Sequence, residues 1–325
     1  MPKRSQKPSS KRSNKRSKTK GSISIKRIGF IVKHEHEEAM ELALDLAKFS
    51  LIRGLEVVFA TESTDIARLL QEMTREMGGV RSKIRIVQKP KMVDVTDLIM
   101  VLGGDGTFLS IARLMKQKSV PVMGVNMGKL GFLTEVKKGE AFDSLKFILS
   151  GVPPMLSNRF LLEVTLKRKG KVIFQAPVVN DAVISKGAIA RIIGTQITIN
   201  GKLVSTVRAD GIIVSTPTGS TAYSLAAGGP VIEPTLDAVV LTPICPHSLT
   251  HRPLVVSNSS EIQVRLTQRP GHVLLTLDGQ DVIDLKEEDI IVVRRYSKHP
   301  LRIVSSPTRD YFSLLREKLK FGTRE

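Results

Sequence analysis

The stretch VLGGDGTFLS (101–110) sets one carboxylate, Asp105, among three glycines and just ahead of a threonine. Turns of this kind leave backbone amides at a helix start free to hold a phosphate oxygen. Here a carboxylate stands where the anion would sit, so Asp105 would meet a hydroxyl, a metal ion or both. A carboxylate near pKa 4 is a weak base toward a sugar hydroxyl. Phosphoryl transfer asks less of it, because the transition state is loose and the nucleophile loses its proton as its bond to phosphorus forms. Asp105 would orient the hydroxyl and accept that proton late, a contribution of roughly 10² to 10⁴ in rate. The loop lacks the Gly-Lys-Ser/Thr of a Walker A motif and the third glycine of a GxGxxG fingerprint. A glycine turn with a capping aspartate is the bland alternative.

Two further stretches carry ligand-binding groups. In ADGIIVSTPTGSTAYSLAAGGP (209–230) a strand, 211–214, enters a hydroxyl-rich loop, and a short helix is predicted near Ser220 or Thr221. Ser215, Thr216, Thr218, Ser220 and Thr221 supply neutral donors and acceptors, Gly219 allows close backbone approach, and Tyr223 offers a flat face to a base. In VVNDAVIS (178–185), Asn180 and Asp181 interrupt an apolar run and suit either a ribose diol or a buried turn. Three other signals carry less. HEHEE (34–38) reads as acidic residues opening a helix, Cys245 as a buried thiol, and LDGQ (277–280), by itself, as a turn.

Elements that position these groups follow from the pattern. RIGFIV (27–32), LEVVFA (55–60), IRIVQ (84–88), DLIMVL (97–102) and VPVMGVN (120–126) are apolar runs suited to buried strands. Helical patterns at 37–54 and 141–151 lie between or after them. Thr107 is expected to cap a helix FLSIARLMKQ, with Phe108, Ile111, Ala112 and Met115 on one face. Strand–helix alternation predicts a doubly wound, Rossmann-like parallel sheet, with Asp105 at its carboxyl edge. Pro153 and Pro154 mark a change of style, after which strand patterns follow one another, including a hairpin around Asn200-Gly201. The expected architecture is an α/β domain (23–152) followed by a predominantly β domain (153–305). A C-terminal helix (306–325), with Tyr311, Leu314, Leu315 and Leu319 on one face, returns to the first domain.

Composition sets outer bounds. The chain has 325 residues, enough for two domains, and its 41% hydrophobic and 25% charged residues are those of an ordinary globular protein. No run approaches a membrane span, and no apolar stretch near the N-terminus reads as a secretory signal, so a cytoplasmic location is expected. A single cysteine excludes an internal disulfide framework and a multi-cysteine zinc site. Residues 1–20 hold nine Lys or Arg and no acids, about half of the net charge of +19. Residues 1–22 are therefore expected to form a disordered basic tail.

Together these motifs resemble the NAD kinase family, which phosphorylates the adenosine-ribose 2′-hydroxyl of NAD to make NADP. GGDGT alone is shared with diacylglycerol-type lipid kinases. The series GGDGT, GVNMGKLGFLTE, NDAVIS, RADGIIVSTPTGSTAYSLAAGGP, PICPHSLTHRPLVV and LDGQ is specific. The resemblance implies that Asp105 is the proton acceptor and Gly106 an adjoining substrate contact. It gives Asn180 and Asp181 to NAD, Asp181 standing where many members have Glu. Arg191, Arg208 and Asp210 match further dinucleotide contacts. Thr221, Ala222, Tyr223, Ser224, Leu225 and Ala226 match a segment around a nucleoside, and Gln280 another NAD contact. His247 sits in a family motif.

ATP or polyphosphate is implied as co-substrate, with a divalent ion, Mg²⁺, carried by the donor and no residue assigned as its ligand. A homodimer or homotetramer with sites near subunit contacts is implied as well. Two features depart from the family: the basic tail, and a loop VKHEHEEA without the usual proline turn. The competing readings are a lipid kinase sharing GGDGT and a polyanion- or RNA-binding role for the tail. Nucleic acid and membrane are not expected as partners of the folded part.

Overall fold

The computed structural model describes residues 24–61, 66–78, 81–115, 118–151, 155–187, 191–268 and 271–320. The basic tail (1–22) and the Pro153-Pro154 break lie outside the described residues.

The first part of the chain runs β1 (Arg27–Val32), α1 (Glu37–Ile52), β2 (Glu56–Ala60), α2 (Ile66–Met77) and β3 (Ile84–Val87). It continues through α3 (Met92–Val95), β4 (Leu98–Gly103), α4 (Asp105–Ala112), β5 (Val122–Asn126), β6 (Val136–Lys137) and α5 (Ala141–Leu149). β3-β2-β1-β4-β5 form a parallel ladder in that order. Side chains alternate across each strand, so both faces need cover. Ile28, Phe30 and Val32 pack with Leu42 and Leu46 of α1 and Leu145 of α5. Ile31, Ile99 and Val101 pack on the other face with Met92 of α3 and Phe108 and Ile111 of α4. The sheet is doubly wound, as its pattern predicted.

The second part opens with β7 (Leu156–Arg159), β8 (Leu162–Arg168), β9 (Lys171–Val178), β10 (Asp181–Lys186), β11 (Ile193–Ile199) and β12 (Lys202–Ala209). Then come β13 (Gly211–Ser215), α6 (Tyr223–Ala226), β14 (Ala238–Ile244), β15 (Leu254–Ser257) and β16 (Ile262–Gln268). The chain ends with β17 (Val273–Leu277), β18 (Asp281–Leu285), β19 (Ile290–Arg295), β20 (Leu301–Val304) and α7 (Tyr311–Leu319). Two six-stranded sheets, β15-β14-β13-β10-β17-β18 and β12-β11-β16-β19-β8-β9, enclose one apolar core. The β11–β12 hairpin turns at Asn200, whose φ is 50°, as the Asn-Gly dipeptide predicted.

Two strands of the 153–305 stretch join the first sheet. β20 lies parallel to β5, and β7 closes the edge antiparallel to β20. LRIV buries Leu301, Ile303 and Val304 like the strands beside it, so it extends the first sheet once the chain returns from the sandwich. Beyond it Asp310 caps α7 by accepting a hydrogen bond from the Ser313 amide at 2.7 Å. α7 packs back toward the first domain, burying Leu314 and Leu315. Glu317 pairs with Lys137 at 3.1 Å, and the rings of Tyr311 and Phe132 lie 6.4 Å apart. Leu319, at the helix end, is exposed.

Three local expectations are corrected. α4 begins at Asp105, two residues before the Thr107 cap read from sequence, because Gly104 takes the extended N-cap conformation. It ends at Ala112. The helix expected at Ser220 or Thr221 is a 3₁₀ turn over Thr218–Thr221, followed by α6 after a break at Ala222. Cys245 is exposed with φ 43°, in the turn that ends β14, and is not a buried thiol.

Candidate functional site

β4 delivers Asp105 to the carboxyl edge of the parallel sheet, and α4 starts with it. The half-buried carboxylate is held from the loop after β5. Its Oδ1 accepts from the amides of Leu133 (3.1 Å) and Thr134 (3.0 Å) and from the Thr134 hydroxyl (3.1 Å). Its Oδ2 accepts from the Phe132 amide alone, at 2.9 Å. Asn126 shapes this loop by donating to the Lys129 carbonyl at 2.8 Å and the Thr134 hydroxyl at 3.0 Å. Gly131 is required by close approach: a Cβ there would lie 1.9 Å from Asp105 Oδ1.

The β domain reaches the same place. The Gln280 amide donates to the Gly106 carbonyl at 3.2 Å. Arg113, at the other end of α4, donates to Gln280 Oε1 at 3.3 Å and also binds Asp281. Arg113 Nε lies 3.6 Å from Asp278 Oδ2. Asp278 is buried and accepts from the amides of Val179 (3.0 Å), Asn180 (2.7 Å) and Asp181 (3.1 Å). The LDGQ turn thus anchors the start of β10, where Asn180 and Asp181 sit.

Asn180, Asp181, Ala222 and Tyr223 line one cavity of about 330 Å³ together with Val183, Ser185, Thr276, Asp278 and Gly279. The Asn180 side-chain oxygen has no hydrogen-bond partner, and the Tyr223 ring is half-exposed. A cavity with an amide oxygen to satisfy and an open aromatic face suits a polar planar ligand. Burial, and then the Asp278 carboxylate beside it, push the Asp181 carboxyl up to about 7. Burial also pushes Asp278 up, against its three amide donors and Arg113. Asp278 holds the negative charge of this pair, because the donors and the cation face it.

The hydroxyl-rich loop differs from its expected use. Thr216 donates to the Val179 carbonyl (2.6 Å), Ser215 to the Thr216 carbonyl (2.9 Å) and Ser220 to the Pro217 carbonyl (2.6 Å). Ser224 shares a hydrogen bond with Thr242 at 2.9 Å. These groups are buried and brace the loop instead of facing a ligand. A Cβ on Gly219 would lie 2.2 Å from the Asn180 carbonyl, so the glycine lets the loop close on that edge.

Some expected residues do not line this cavity. Arg191 and Arg208 are exposed, and Asp210 pairs with Lys186 at 2.8 Å. Asp210 precedes β13, whose far end, Ser215, pairs with Asp181, so the length of the strand, about 17 Å, separates the two. Thr221 and Leu225 are half-buried and Ala226 exposed, none of them lining the cavity. Arg113, Asp278 and the 132–134 amides were not read from sequence. Asp278 stands at φ 51° before Gly279, a signal that marks only a turn until its partners, about 98 residues earlier, are placed beside it. Among the described residues no three His, Cys, Asp or Glu side chains are placed to hold a metal ion. No helix among them is long and apolar enough to cross a membrane.

A kinase-like glycine turn at a parallel-sheet edge, closed by a β domain with a planar-ligand cavity, defines a two-domain nucleotide-binding protein. The family model of the ATP-NAD kinase N-terminal domain matches residues 28–152, and that of the C-terminal domain residues 179–306. The chain is 48% identical over 238 residues to the NAD kinase of Geobacter metallireducens, covering 73% of this chain and 83% of that one. It is 42% identical over 300 residues to the NAD kinase of Syntrophotalea carbinolica, covering 92% and 100%. Among solved structures, a yeast NADH kinase complexed with NADH superposes with a TM-score of 0.82 at 27% identity, covering 93% of this chain and 89% of that one. The chain belongs to the ATP-NAD kinase family, a family of phosphotransferases. These matches favour the dinucleotide kinase over a lipid kinase.

Proposed function

We propose that this NAD kinase transfers the terminal phosphoryl group of ATP or polyphosphate to the 2′-hydroxyl of the adenosine ribose of NAD, with Asp105 receiving the proton. The observation that carries the reading is the distribution of donors on that carboxylate. Oδ1 is filled by three donors, while Oδ2 has one and keeps an acceptor position. The cradle fixes the carboxylate and leaves Oδ2 to take the hydroxyl hydrogen. As the ribose oxygen bonds to phosphorus, the bridging P–O bond of the donor breaks, the proton moves to Oδ2 and the shortened donor leaves.

The cavity at Asn180, Asp181 and Tyr223 supports a dinucleotide beside Asp105, with Gly106 and Gln280 joining the two. Mg²⁺ is expected to arrive on the donor phosphates; it is given no protein ligand, and no step runs through it. Arg191, Arg208 and Asp210, which do not line this cavity, fit a homodimer or homotetramer in which a second copy brings them to the site. The domain limits 23–152, 153–305 and 306–325 and a cytoplasmic location belong to the same proposal. Incubation with NAD, Mg²⁺ and either ATP or polyphosphate, with NADP measured, tests it. NADP formation with one donor or both is expected; none with either would refute the reading.

A further inference from the structure

We propose that Arg113 is a positioning residue that locks the LDGQ turn, and through it the Asn180–Asp181 edge of the dinucleotide cavity, onto the helix that begins at Asp105. The inference rests on reading that cavity as the place where NAD sits.

Arg113 is the C-cap of α4, eight residues after Asp105, and its side chain is only 12% exposed. Its guanidinium spans three groups of one turn: the Asp278 carboxylate, Gln280 Oε1 and the Asp281 carboxylate. Gln280 returns to α4 through the Gly106 carbonyl, which closes a ring between the two domains. Asp278 lies at the centre of it. Its Oδ1 gathers three successive amides, those of Val179, Asn180 and Asp181, while Oδ2 shares the Val179 amide and faces Arg113. Arg113 is the cation facing this buried carboxylate. Without it, Asp278 and Asp181 would share a buried site with no counter-charge, and a lone buried charge is strongly unfavourable. Relief would come by loosening the turn that presents Asn180 and Asp181.

Asp105 is insulated from such a change. Its four donors come from Phe132, Leu133 and Thr134, whereas the polar partners of Arg113 are Asp278, Gln280 and Asp281. Loss of Arg113 should therefore weaken NAD binding while the chemical step at saturating NAD persists. A guanidinium fork is needed to hydrogen-bond Gln280 and Asp281 while its Nε faces the Asp278 carboxylate, so lysine would recover part of the effect.

The test measures NAD dissociation without donor, together with kcat and KM, for the full-length wild type, Arg113→Met, Arg113→Lys, Asp281→Asn and Asn180→Ala. Arg113→Met is expected to raise the NAD Kd and KM about tenfold or more, with kcat within about threefold. Arg113→Lys should fall between it and the wild type. Asp281→Asn, a change at a half-exposed position that is safe for folding, should raise Kd two- to fivefold and serves if Arg113→Met does not fold. An unchanged Kd in the Arg113 and Asp281 variants while Asn180→Ala weakens binding overturns this role for Arg113. Equal losses of kcat and melting temperature in Arg113→Met and Arg113→Lys, without the KM split, overturn it in favour of a structural part only. If Asn180→Ala itself leaves NAD binding intact, the fault lies with the cavity as the NAD site.

Discussion

Two carboxylates in this molecule are held in nearly the same way and end up with different work. Asp105 gathers the amides of Phe132, Leu133 and Thr134; Asp278 gathers those of Val179, Asn180 and Asp181. In both, one oxygen carries three donors and the other one amide. The difference is what lies beyond. Asp278 is sealed against Arg113, whereas Asp105 stands half-buried at the open edge of a parallel sheet. A ring of amides fixes a carboxylate; access to a substrate decides whether that carboxylate does chemistry or holds a turn.

The sealed site should show the larger effect on stability. Asp278→Ala strips three amides of their acceptor and takes from Arg113 the buried carboxylate that faces it, at about 1–3 kcal/mol for each unsatisfied group. A loss of about 4 kcal/mol or more is expected in chemical denaturation. A loss under 1 kcal/mol would show that the amides find other partners.

Next comes the neighbouring Asp181, whose charge burial disfavours. Asp181 in the fold titrates near 7, above the ordinary 3.8, because burial disfavours its charge. The burial cost is absent below the unfolded value, grows as pH rises from about 4 to about 7, and is complete above it. Asp181→Asn should therefore gain stability on the wild type across that window, by about 4 kcal/mol at its top. Denaturation midpoints measured from pH 4 to 8 test the trend, and a pH-independent gap would contradict it.

The open site is probed through its cradle. Gly131→Ala puts a methyl into Asp105 Oδ1 and the Thr134 hydroxyl, so the carboxylate must move. A fall of about 100-fold in kcat is expected, equal to about 2.7 kcal/mol of transition-state stabilisation, with folding retained by circular dichroism. Wild-type turnover would mean the cradle is dispensable. The smallest effect is at Tyr223, whose open ring gives a base a stacking face. Tyr223→Ala should raise the NAD KM about fivefold, about 1 kcal/mol, with kcat little changed.

Much of the first domain was legible because its strands are apolar runs that alternate with helical patterns along the chain. β20 and β7 were less so, since LRIV and LSNR are short and their place depends on a return from the other domain. At the site, Asp105 stood out because a carboxylate in a glycine turn is chemically odd. Asp278 did not, because its partners lie about 98 residues earlier and Arg113 about 165. The Ser215, Thr216 and Ser220 hydroxyls went the opposite way: residue type suited a ligand, but burial gave them to backbone carbonyls.

The proton-accepting role of Asp105 is tested most directly by single-turnover kinetics of Asp105→Asn with NAD saturating. The amide oxygen can keep the three donors of Oδ1, while the proton acceptor at Oδ2 is lost. A phosphoryl-transfer rate at least about 100-fold below wild type, with the NAD Kd within about threefold, is the expected result. A rate within threefold of wild type would contradict it and remove this carboxylate from the chemical step.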